Sequence, residues 1–93
     1  MKEITQEKIR KYLEITKKAL ETIYDINKDI KNNKKAMEVI DKAERYYKDA
    51  KHYYEKGDYV TAFASVNYAH GWLDCGARMK LFKVPKDSGM FSE

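Results

Sequence analysis

His70 and Asp74 are four residues apart in the least charged part of the chain, the spacing at which two side chains share one helix face and a carboxylate can orient an imidazole. Asn67 and Arg78 extend the row in either direction. A polar row of this kind serves a general base or, several times more commonly, the internal hydrogen bonding and register of an interface. Arg45 and His52 form a second pair, on one face of a straight helix but roughly 10 Å apart, too far to act on one phosphate without a partner chain. His52 lies before Gly57 and His70 after it, so on antiparallel helices they miss each other axially by roughly 10 Å and no shared metal within one chain is expected. Cys75 is the single cysteine, which excludes an internal disulfide, and its apolar setting makes it a small core or interface residue. With no catalytic or metal motif of useful specificity, the expectation is a protein that is not an enzyme and uses no cofactor.

A third constellation is basic. If the chain folds up, down and up, its first loop and the end of its third helix share one pole, bringing Lys28, Lys31, Lys34 and Lys35 together with Arg78, Lys80, Lys83 and Lys86. Asp25, Asp29 and Asp87 are the acids there. Helix-dipole complementation explains such a cluster in part. Nucleic acid or another polyanion is the sharper alternative, although no aromatic-basic RNA signature accompanies the cations. Elsewhere charge looks like a solvated lattice. Lys and Arg total 19 against 15 Asp and Glu, 16 of the 19 are Lys, and Glu7/Lys11, Glu14/Lys18, Glu38/Lys42, Asp41/Arg45 and Glu44/Lys48 are acid-then-base at i and i+4.

These residues need elements to position them. Ninety-three residues allow one domain, and one Pro with four Gly favours long helices over many turns. Thr5 can cap the first helix, with Ile4 and Ile9 as a hydrophobic staple. Ile9, Leu13, Thr16, Leu20, Ile23, Asn27 and Ile30 then recur at spacings of four and three until residues 31–34 break the pattern. Asn32 or Asn33 caps a second helix whose broad face has Ala36, Ala43 and Ala50 down its centre and tyrosines at its edges. Gly57 ends it in a left-handed cap and Asp58 starts the third, a connection tight enough to force an antiparallel pair. The third helix is expected over residues 59 to about 82, followed by a tail over 84–93 with Met90 and Phe91 as the residues that would dock it back. The fold class is an all-α, three-helix up-and-down bundle over 1–83.

Residues 59–77 contain one charged side chain, Asp74, in a chain that is 37% charged. Such a helix has two apolar stripes. Tyr59, Ala62, Phe63, Val66, Ala69 and Leu73 suit the bundle core; Ala64, Tyr68, Trp72, Cys75, Met79 and Phe82 have no obvious cover within the chain. Gly71 and Gly76, each costing about 1 kcal/mol in a helix, favour a close helix contact there.

Asp49-Ala50, Tyr53-Tyr54, Gly57-Asp58 and Ala62, followed by Tyr68-Ala69, Gly71, Leu73-Asp74 and Gly76, resemble the pattern of the archaeal domain of unknown function 357 family. The likeness covers the C-terminal half of the chain strongly and helix one by length and periodicity. It implies a small three-helix bundle without an assigned activity, so no catalytic residues carry over; Lys80 stands where a glycine is expected. Ala50, Tyr53, Gly57-Asp58-Tyr59 and Ala62 are also similar to one tetratricopeptide hairpin, but no second copy appears at the required period. The Arg45-to-His52 spacing resembles the signature of helical ribonucleases of the HEPN type, and this is the third reading.

The chain lacks a bilayer-spanning or secretory apolar block, which points to a cytoplasmic protein without membrane contact. Its expected role is an interaction module that forms a homodimer or binds another protein through Tyr68, Gly71, Trp72, Cys75 and Met79, the aromatic and Met residues being types enriched at interface centres. Nucleic-acid binding through Lys31, Lys34, Lys35, Lys80 and Lys83 at the basic pole is the competing class.

Overall fold

The structure, a computed structural model, describes residues 5–91 and is a three-helix up-and-down bundle: α1 (Gln6–Ile26), α2 (Lys34–Glu55) and α3 (Tyr59–Arg78), with a 3-10 turn at Ile30–Asn32. Thr5, in extended conformation, accepts from the Lys8 amide at 3.1 Å and starts α1. Ile9 is fully buried, and its expected staple partner Ile4 lies outside the described residues. The helix stops at Ile26, short of the pattern break at 31–34: Asn27, whose backbone N–H and side-chain amide both donate to the Ile23 carbonyl, at 3.0 and 2.8 Å, leaves helical geometry at φ −106° and ψ 77°. Ile30 keeps its place in the core from within the 3-10 turn. Asn33 accepts from the Ala36 amide at 3.1 Å and caps α2.

The reversal after α2 closes with two hydrogen bonds, Gly57 N–H to Tyr54 O at 3.1 Å and Asp58 N–H to Tyr53 O at 2.9 Å, with Gly57 at φ +83°. Asp58 then accepts from the Thr61 amide at 3.2 Å. Counting outward from Lys56, Ala50 comes level with Ala62, Ala43 with Ala69 and Ala36 with Gly76. All six are buried, the five alanines at 0% exposure. Small residues every seventh position on both helices leave no side-chain bulk between the backbones, so α2 and α3 pack closely along their whole length. The larger core residues, among them Ile40, Val66 and Leu73, fill the space beneath α1.

Helix α3 ends at Arg78, four residues before the expected Phe82. Lys80 N–H donates to Ala77 O and Leu81 N–H to Gly76 O, both at 3.0 Å, and Lys80 adopts φ +59°. This is the same closure as at Gly57, with a lysine in the left-handed position. It turns the chain so that the Phe82 ring folds back over the helix, and Phe82 is 6% exposed. A Cβ at Gly76 would stand 2.5 Å from Phe82 Cε2 and 2.6 Å from Cζ, so only glycine admits the ring there. The tail beyond 84 also returns: Phe91 is buried in the same core cluster and Met90 packs against it.

Candidate interaction face and basic pole

Of the uncovered stripe on α3, Tyr68 is 58% and Met79 67% exposed, and Ala64, Gly71 and Cys75 are exposed with them. Ala64, Asn67, Tyr68, Gly71, Trp72 and Cys75 line an open trough of about 510 Å³ without a charged residue in its wall. Gly71 forms its floor, since a Cβ there would meet nothing within 4 Å. The Tyr68 ring leans on Tyr46 of α2 at 4.6 Å between centroids, and the Cys75 thiol lies 3.8 Å from Met79 Sδ. Trp72 differs from the other four anchors. It is half-buried against the core and lines both the trough and a shallow depression beside α2. Its indole N–H is buried and has no hydrogen-bond partner among the described residues. Phe82, placed on this stripe by periodicity, belongs to the core, and Gly76 serves that ring instead of an outside helix.

The polar row does not act as one unit. His70 Nδ1 lies 3.0 Å from Thr16 Oγ1 of α1, while Nε2 meets the Met90 carbonyl oxygen and stands 3.8 Å from Asp74 Oδ1. Both neighbours of Nε2 are acceptors, so Nε2 carries a proton, and Nδ1 shares a hydrogen bond with the Thr16 hydroxyl. Every polar position of the imidazole is used in tying α1 and the tail to α3. Asn67 is exposed in the trough and Arg78 is exposed at the pole, each with different neighbours. Arg45 borders the depression formed with Glu38, Val39, Asp41, Lys42 and Trp72, whereas His52 is exposed against the Tyr53 ring at 5.5 Å, outside that depression.

The pole joins as the topology requires. Asn27 donates to Lys83 O at 2.9 Å and accepts from Lys83 N–H at 2.9 Å, and the Asn33 amide reaches Leu81 O at 3.5 Å. The segment after α3 is thereby clasped to both ends of the first connection. Arg78, Lys80, Lys83 and Lys86 line a concavity of about 1100 Å³ with Asn27, Ala77, Leu81, Phe82 and Val84. Lys28, Lys31, Lys34 and Lys35 are exposed along the first connection and the start of α2, outside that wall.

Residues 11–82 match the family model described as protein of unknown function, DUF357. The chain belongs to this family. It matches no curated protein and no solved structure. In this DUF357 chain the matched span begins in the second turn of α1, so it takes in the first helix as well as the α2–α3 hairpin, and it ends on Phe82, the ring that closes the core under Gly76. No helix among the described residues is long and apolar enough to cross a membrane, and no group of three or more His, Cys, Asp or Glu gathers there as a metal site.

Sequence reasoning missed three residues that organise these sites. Asn27 looked like a stripe member but clasps Lys83; Thr16 is 1% exposed because it serves His70; Tyr46 backs Tyr68. A polar residue inside an apolar stripe was the available signal for the first two. Tyr46 gave none, being one of several tyrosines on α2.

Proposed function

We propose that this protein is a non-enzymatic, cytoplasmic helical module that pairs with a second copy of itself through the outward face of α3. The observation carrying this reading is the exposed, uncharged trough on that face, whose residue order suits pairing with itself. If two α3 helices cross antiparallel about a two-fold axis between residues 71 and 72, Tyr68 comes opposite Cys75 of the second copy, Met79 opposite Ala64 and Trp72 opposite Gly71. Large meets small at each level, which is what an isologous contact needs to reach the packing density of a protein interior. The exposed Gly71 floor lets the backbones approach, and burying Tyr68 and Met79 supplies the apolar area.

Light scattering at two protein concentrations tests the pairing. Mass should rise toward that of a dimer with concentration and hold or increase with added sulfate, because apolar association strengthens in such salts. Gly71→Glu places a charge on the floor of the trough, where nothing in the monomer obstructs it, and should give a monomer of unchanged helix content. A protein that stays monomeric at both concentrations overturns the proposal.

A further inference from the structure

We propose that the concavity at the end of α3 binds single-stranded nucleic acid, its cations taking the phosphodiester backbone and its apolar floor the sugars and bases. Four cations, Arg78, Lys80, Lys83 and Lys86, face one open hollow. The helix dipole accounts for positive charge only within the last turn, which covers Arg78 and the adjoining Lys80 and leaves Lys83 and Lys86 unexplained. The backbone bearing them is held in place: Asn27 bonds both the N–H and the carbonyl of Lys83, so the charges are displayed from a fixed loop.

Backbone conformation adds an independent observation. The two non-glycine residues at positive φ among the described residues, Lys80 at 59° and Asp87 at 55°, both belong to the segment that follows α3. At the matching position after α2 the chain uses Gly57, free of the steric penalty that a Cβ incurs in the left-handed region. Lysine at this position is exposed and contributes a charge to the hollow. Strain of this kind collects at functional sites.

The size of the basic area favours a strand over a single phosphate. Lys28, Lys31, Lys34 and Lys35 continue it across the same pole, outnumbering Asp25, Asp29 and Asp87. A duplex, with its bases stacked inside, cannot put apolar groups onto Ala77, Leu81 and Val84 in a concave floor, whereas a flexible strand can.

The experiment is fluorescence anisotropy of a labelled oligouridylate of roughly twelve nucleotides, within the usual range of single-strand site sizes. Four phosphate contacts predict a log–log salt slope of about −2.8, or about fifty-fold weaker binding on going from about 50 to about 200 mM salt. Lys80→Gly should weaken binding several-fold and reduce the slope by about 0.7. The same variant should raise the thermal midpoint, so loss of binding cannot be blamed on unfolding. Lys83→Gln with Lys86→Gln should take about 1.4 from the slope. Undiminished binding by Lys80→Gly, tighter binding of the corresponding duplex, or displacement of the strand by inorganic polyphosphate at equal phosphate concentration would each overturn the assignment.

Discussion

Gly71 and Gly76 lie five residues apart in α3, and the same substitution at each should move stability in opposite directions. At Gly71 an added methyl meets nothing within 4 Å, so Gly71→Ala gains only helix propensity, about 0.5–1 kcal/mol. At Gly76 the methyl would lie 2.5 and 2.6 Å from the Phe82 ring and 3.0 Å from Val39 Cγ1. Phe82 is 6% exposed and cannot swing away without surrendering its burial, worth about 1.5–3 kcal/mol; overpacking with the ring in place costs a similar 1–3 kcal/mol. After the propensity gain is subtracted, Gly76→Ala should be destabilising by about 1–2 kcal/mol. Thermal denaturation followed by far-ultraviolet circular dichroism, at a concentration low enough to keep the chains monomeric, should therefore raise the midpoint of Gly71→Ala by about 2–8 °C and lower that of Gly76→Ala by about 4–16 °C. In a Phe82→Leu background the smaller side chain leaves room, and Gly76→Ala should become neutral or favourable. Stabilisation by Gly76→Ala equal to that by Gly71→Ala would falsify the account of how α3 ends, because it would mean the ring does not rest on the glycine backbone.

Three further outcomes follow from other contacts. The Tyr24 hydroxyl donates to Glu44 at 2.8 Å, and burial first, then the Glu44 carboxylate, push its pKa from 10.0 up to about 12. The fold thus favours protonated Tyr24, so this contribution to stability is complete below pH 10 and lost as pH rises from 10 toward 12; burial also raises Tyr47, so ultraviolet titration should show late tyrosines of which Glu44→Gln brings down Tyr24 alone. Trp72→Phe removes a buried donor that has no partner among the described residues, a saving of about 1–3 kcal/mol that offsets much of the lost indole contact, so the variant should unfold within about 1 kcal/mol of the parent. A loss well above that in urea titration would show that the N–H is satisfied. In the proposed antiparallel dimer Cys75 would face Tyr68 of the second copy, and the two Cys75 residues would stand roughly 10 Å apart along the axis, beyond disulfide reach. Mild oxidation should therefore link Tyr68→Cys chains into dimers on non-reducing gels and leave the parent unlinked; a parent that crosslinks readily would exclude this crossing.

Helix existence, most of the boundaries and the core stripe were readable from the chain because they depend on local chemistry. Thr5, Asn33 and Asp58 each accept the backbone N–H that a cap residue should, and Ala62, Val66, Ala69 and Leu73 are buried as their spacing requires. The open trough around Tyr68, Gly71 and Cys75 was likewise visible as an apolar stripe in excess of what two neighbouring helices cover. The chain by itself did not reveal where α1 and α3 stop. Periodicity carries α1 past Ile26 and α3 to Phe82, but Asn27 bonds a carbonyl 56 positions away, and Phe82 finds lower free energy under Gly76 than on another helical turn. Likewise, His70 and Asp74 were legible as a pair, whereas their use depended on Thr16 and Met90, 54 and 20 residues distant. Caps and periodicity are set by neighbours within one or two turns, so the amino-acid order specifies them. The end of α3, the half-burial of Trp72 and the clasped basic loop were decided by competition between a local turn and a distant contact, which only the assembled tertiary structure resolves.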